Sequence, residues 1–218
     1  MTARTQILER ARRALSDVAT RDPAADVPID RPDQRRDLPR EDLVDLFAEQ
    51  VADYRAFVER TTEASVAGAI AQVLRSRSAQ AGTGASRILV PPGFPAAYLP
   101  DGTGIVADGP GVPIVELDHC AGVVTTAAIG IAETGTIVLD HGPGQGRRAA
   151  TLVPDLHVCL VRVEQVVAGL PEAVSALDPR RPQTWISGPS ATSDIELDRV
   201  EGVHGPRTLH VLIISPDD

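Results

Sequence analysis

The 218-residue chain contains no lysine and no asparagine, only two cysteines, and just 3% aromatic residues. Each shortage removes a class of function. Without lysine there is no amine for Schiff-base catalysis and no lysine for a phosphate-binding P-loop. Two cysteines, Cys120 and Cys159, cannot form a disulfide framework, so a reducing cytoplasm is the expected compartment. They also fall short of the roughly four thiolates of an iron–sulfur cluster, and no cofactor is expected in this chain. No stretch approaches about 18 uncharged apolar residues, so no membrane span is expected. The opening MTARTQILERARRALSDV lacks the apolar core of a signal peptide. Lysine and asparagine both have A-rich codons, so a GC-rich genome accounts for their absence.

Charge is uneven. Residues 1–40 hold nine arginines against seven acids, whereas residues 41–218 hold twelve arginines against twenty-three acids. An acidic body with few aromatics lacks the basic stripes and stacking platforms of a nucleic-acid surface.

Apolar positions Ile7, Leu8, Ala11, Ala14, Leu15 and Val18 recur at helical spacing. The Pro-rich, charged stretch RDPAADVPIDRPDQRRDLP follows, with no periodicity, and reads as a linker. Residues 1–38 are therefore expected to be a helical arm that seeks a groove elsewhere, as in a homo-oligomer, with the main domain at 39–218. A second helix is predicted at about 41–60, with Leu43, Leu46, Phe47, Tyr54, Phe57 and Val58 in one stripe. VAGAIAQVLRSRSA reads as a helix; RILVP, GTGIVAD, VPIVELD, HVCLVRV, TWISGP and TLHVLII read as strands; EQVVAGLPEAVSAL reads as a helix interrupted at Pro171. Short apolar strands alternating with helices predict an α/β fold, its largely parallel sheet covered by helices on both faces.

Two segments carry candidate chemistry. In GIAETGTIVLDHGPGQGRR, residues 130–148, Glu133 stands where a strand begins, and Gly135 lies between Thr134 and Thr136. A glycine there lets a backbone or a ligand approach closely. The following loop is freed by Gly142, Gly144 and Gly146 and closed by Arg147 and Arg148. Its glycine spacing is not the dinucleotide fingerprint, and Pro143 lacks an N–H donor. Two readings stand open: an anion cradle of glycine amides and guanidinium forks, or a glycine-rich hairpin with solvated arginines. In ISGPSATSDIELDRVEGVHGPRTLHVLII, residues 186–214, Ser187, Ser190 and Asp194 leave a strand, and His204 and Arg207 flank a Gly-Pro turn. Hydroxyls and free amides at such a junction suit an anion, or merely cap and turn.

His157 and Cys159 share one face of an apolar strand and are expected in the core. His119, His141 and His204 lack HExxH or CxxC spacing, so no metal site is expected. No Gly-x-Ser-x-Gly elbow for a serine hydrolase is present.

The motifs GIAETGTIVL, HVCLVRVEQVV and SGPSATSDIE…GVHGPRTLHVLII together resemble the LUD-domain family over about residues 40–218. Within it, the likeness is to the small subunit of a three-protein bacterial system that oxidises L-lactate to pyruvate. The resemblance implies a variation on the sugar-phosphate isomerase and CoA-transferase-like fold. It also implies two partners, one with cysteine-rich CCG domains and one carrying iron–sulfur clusters, and a role in electron transfer coupled to lactate use. Glu133 loosely resembles the nucleophilic glutamate of CoA transferases. Three functions follow as alternatives. The first is a non-redox subunit of a lactate-oxidising complex. The second is a free-standing CoA-transferase-like or sugar-phosphate-binding enzyme using Glu133. The third is a sensing or scaffolding protein without catalysis.

Overall fold

Strands made of Val, Ile and Leu without polar alternation must be covered on both faces. The computed structural model of the chain shows how this is done; it describes residues 2–17, 38–81, 87–192, 200–201 and 205–217. Contacts divide the chain into two units, residues 1–35 and 36–218. In the first, helix α1 (Ala3–Ala14) is capped by the Thr2 hydroxyl, which accepts from the Thr5 N–H, and ends on Arg12 and Arg13, favourable at the negative end of the helix dipole. Its apolar residues Ile7 and Leu8, and Leu15 just beyond it, are exposed.

The second unit is built on a six-stranded parallel sheet. Numbered along the chain, its strands are β1 (Phe57–Thr62), β2 (Arg87–Val90), β3 (Gly104–Ala107), β4 (Gly122–Thr126), β7 (Leu156–Arg162) and β12 (Thr208–Ser215). Their spatial order is β1-β12-β7-β4-β2-β3. Side chains alternate between two cores. Val158, Leu160, Leu212 and Ile214 meet Ile70, Val73 and Leu74 of helix α3 (Val66–Ala81). Cys159, Val161, Val211 and Ile213 meet Phe47 and Val51 of helix α2 (Arg40–Asp53).

A second, four-stranded sheet completes that latter layer. It comprises β5 (Ile129–Ile131), β6 (Thr136–Leu139), β8 (Val166–Val167) and β9 (Thr184–Ile186) in the order β8-β5-β6-β9. The expected parallel α/β sheet flanked by helices is present. Of this additional sheet the strands β6 and β9 were foreseen, but not their assembly into a separate sheet, because β5 and β8 span only three and two residues. A two-stranded ribbon, β10 (Ala191–Thr192) with β11 (Val200–Glu201), lies in the second motif.

Three expected elements differ. The predicted helix at 41–60 stops at Asp53, and Arg55 takes a left-handed φ of 65° that turns the chain into β1. Phe57 therefore stacks on His210, at 5.8 Å between ring centroids, instead of extending the helical stripe. VPIVELD forms a short helix, α4 (Ile114–Asp118), that buries Leu117; over five residues, strand and helix periods are not separable. The segment around Pro171 is not one broken helix. It is a turn, strand β8, and helix α5 (Leu170–Ala176) with the proline in its first turn, where the missing N–H costs nothing.

Gly135 explains how α2 seats. Its φ is +58°, and a Cβ there would lie 2.5 Å from the carbonyl carbon of Gln50. The close approach foreseen for this glycine is made by the backbone of α2. Gly135→Ala is expected to destabilise the protein by roughly 2–4 kcal/mol, combining left-handed strain with overpacking. Gly68→Ala, in exposed helix with open space at its Cβ, is expected to stabilise by up to about 1 kcal/mol. Thermal melts of the two variants measure both, and equal melting temperatures would contradict the assignment.

Candidate functional site

The loop after β6 does not form a hairpin. It lies across the carboxyl ends of β2 and β4, held by other loops. Gly144 N–H donates to the Pro92 carbonyl at 2.7 Å, and Gly144 O accepts from Thr126 N–H at 2.9 Å. Gly142 N–H donates to the Asp140 carboxylate at 3.1 Å, and Asp140 N–H to the Gln145 side chain at 2.6 Å. The Gly146 carbonyl can only accept, so His141 Nδ1 donates to it at 2.7 Å, and His141 Nε2 lies 3.0 Å from the Thr184 hydroxyl. The amides of Gly142 and Gly144 thus stabilise the loop itself, and the expectation that they face an anion is corrected.

The two arginines diverge. Arg147 Nε donates to Asp108 at 2.9 Å and one of its terminal nitrogens to the Val112 carbonyl at 2.8 Å; the Asp108 side chain is only 2% exposed. Arg147 is therefore a structural tether, as is Arg181, paired with Asp140 at 2.8 Å. Arg148 has no carboxylate partner among the described residues. Its terminal nitrogen donates to the Thr151 hydroxyl at 3.2 Å, and partial desolvation lowers its pKa.

Arg148 lines two cavities. The smaller, about 210 Å³, is bounded also by Thr151, His157, Ser187, Ser190 and Pro206. It brings three predicted residues together: Arg148, Ser187 and Ser190. Ser187 ends a chain of hydroxyls, 2.8 Å from Thr136 Oγ1, which is 2.7 Å from Thr134 Oγ1. Thr134 and Thr136 thus support the site through Ser187. The larger cavity, about 810 Å³, is lined by the GPGQGRR loop, including Gly146, Arg147 and Arg148, and by the loops after β2 and β3.

Other predicted residues fall elsewhere. Glu133 is exposed on a turn, its N–H bonded to the Ala168 carbonyl and its carboxylate beside Gly169, and it lines neither cavity. Arg207 points outward, 3.4 Å from Asp155, with both side chains about two-thirds exposed; the turn's Gly205 and Pro206 line the smaller cavity in its place. Asp194 and His204 lie outside the described residues. Among the described residues no group of three or more His, Cys, Asp or Glu is placed to hold a metal.

His157 was expected in the core and is fully buried, yet it also borders the smaller cavity. Its Nε2 lies 2.7 Å from the Thr125 hydroxyl. Burial, with Arg148 nearby, pushes its pKa down to about 4, so the imidazole is neutral at ordinary pH. Its position in an apolar strand gave no signal of a cavity beside it. Asp108 and Arg181 were also missed, because their partners Arg147 and Asp140 are distant in sequence; Thr151, three residues from its partner Arg148, belongs to no motif that would single it out.

Arg147→Gln is expected to cost about 1–3 kcal/mol by stranding Asp108, whereas Arg148→Gln is expected to stay within about 0.5 kcal/mol. Chemical denaturation of both variants tests the division, and equal losses would overturn it. His157 adds a pH dependence. The unfolded imidazole, near 6.5, takes up protons that the folded one refuses until about pH 4. Stability therefore falls as pH drops through that window, by an amount on the order of 3 kcal/mol from this residue. His157→Gln is expected to flatten the profile between pH 6.5 and 4 in denaturation series.

Known proteins place the chain. The LUD domain model matches residues 115–214. Lactate utilization protein C of Deinococcus radiodurans is 44% identical over 182 residues, 82% of each chain. Lactate utilization protein C of Bacillus pumilus is 39% identical over 92 residues, 38% of each chain. The crystal structure of a DUF162 family protein from Deinococcus radiodurans matches with a TM-score of 0.68 and 39% identity, covering 81% of this chain and 99% of that one. The chain belongs to the LUD-domain family.

Proposed function

We propose that the protein serves lactate utilisation as the subunit without a redox centre in a complex that oxidises L-lactate to pyruvate. The observation that carries this reading is the 44% identity, over 82% of both chains, to a lactate utilization protein C. Oxidation of lactate to pyruvate releases two electrons and two protons, and the electrons need a carrier. The chemistry of this chain's thiols favours a carrier on other subunits. Cys159 is buried in the core beneath α2, its pKa pushed up to about 12, and Cys120 lies in a different core cluster with its pKa also raised by burial. Thiols held protonated in two separate cores are poor cluster ligands, which must be thiolates. Two iron–sulfur partner proteins are the natural holders of the redox centres, and Arg148 with Ser187 and Ser190 offers an anion-binding cleft on this subunit. No helix among the described residues is long and apolar enough to cross a membrane.

The test is genetic and biochemical. Deleting the gene is expected to abolish growth on L-lactate while sparing growth on pyruvate, and the tagged protein is expected to retain two iron–sulfur proteins on purification. Undiminished growth on lactate would overturn the role. Normal loss of growth with no iron–sulfur protein retained would overturn the complex.

A further inference from the structure

The larger cavity exceeds what a three-carbon acid needs. Its volume of about 810 Å³ lies in the range that encloses drug-sized ligands. Pro92, Pro110, Pro143 and Pro182 make much of its wall, giving rigid apolar surface that loses little entropy on binding. The charges lining it nearly cancel. Arg147 is neutralised by Asp108 and Arg181 by Asp140. Among the described residues one lining guanidinium, Arg148, has no carboxylate partner; it stands between the two cavities and donates to Thr151 on the side of the smaller one. An uncompensated arginine at the margin of an apolar cavity selects a ligand by charge at one end and by burial at the other.

We propose that this cavity binds a molecule with a sizeable apolar body and a single anionic group, the anion held by Arg148 and the body lying against the proline walls. This goes beyond a role in lactate utilisation and assigns the cavity its own ligand class. The single surplus charge favours a monoanion such as a carboxylate. A dianion would bring a second negative charge into a domain that carries twenty-three acids against twelve arginines over residues 41–218.

Calorimetric titration of the full-length protein tests the assignment with three probes of one shape: 2-naphthoate, its neutral carboxamide, and 2-naphthyl phosphate. Naphthoate is expected to bind at least tenfold more tightly than the carboxamide, with no gain for the phosphate. Arg148→Gln is expected to remove that tenfold preference. Gly109→Trp fills the cavity from a position whose Cβ would meet open space, and it is expected to abolish binding of all three. Arg207→Gln, outside the cavity, serves as the control and should change nothing. Equal affinity for naphthoate and carboxamide, tighter binding of the phosphate, or naphthoate affinity that survives both Arg148→Gln and Gly109→Trp would overturn the proposal. These measurements use the isolated chain, so they fail or succeed independently of the growth phenotype on lactate.

Discussion

The constraint on which the rest depends is the burial of β7 and β12 on both faces. Leu160 and Leu212 point one way, Val161 and Ile213 the other, and all four are at most 1% exposed. Sealing apolar side chains of this size stabilises by about 1.5–3 kcal/mol each, so neither face can be left to solvent. One face takes α3. The other is too broad for α2 alone, and β5, β6 and β9 fill the remainder. The cleft is a by-product of that arrangement: β9 is followed at once by Ser187, and the loop leaving β6 must travel back over the sheet, delivering Arg148.

Much of this architecture was legible. Uninterrupted apolar runs such as HVCLVRV and TLHVLII announce buried parallel strands, which the structure pairs as β7 and β12. What was not legible turns on partners distant in sequence. Gly135 is correctly read as a point of close approach, but nothing local says that Gln50 is the neighbour. Arg147 and Arg148 are adjacent and chemically identical in the sequence. Asp108, 39 residues away, separates a buried tether from a guanidinium left to a cavity. The second sheet eluded pattern reading as a unit because two of its strands, β5 and β8, are only three and two residues long and carry no period.

The glycine-rich loop shows why a motif can look like a ligand cradle and be something else. The amides of Gly142 and Gly144 are taken up by Asp140 and by the Pro92 carbonyl of a neighbouring loop, and its flexibility in sequence becomes rigidity in structure once Asp140, His141 and Gln145 each bond within it or to a neighbour. A rigid loop is the better support for an arginine that must be aimed. Fixing the backbone beforehand lowers the entropy lost when an anion arrives.

The placement of β12 has a consequence for how the molecule is made. It lies inside the sheet, between β1 and β7, yet it is the last strand of that sheet along the chain. Among the described residues β1 pairs only with it, Phe57 opposite His210. During synthesis, β1 therefore leaves the ribosome early and waits, its edge without a sheet partner, until about 150 further residues have followed. Contacts that span so much chain close slowly. The nascent domain thus passes through a stage in which Phe57 and the edge of β7 lack the strand that joins them, and this interval is where a chaperone has most to protect.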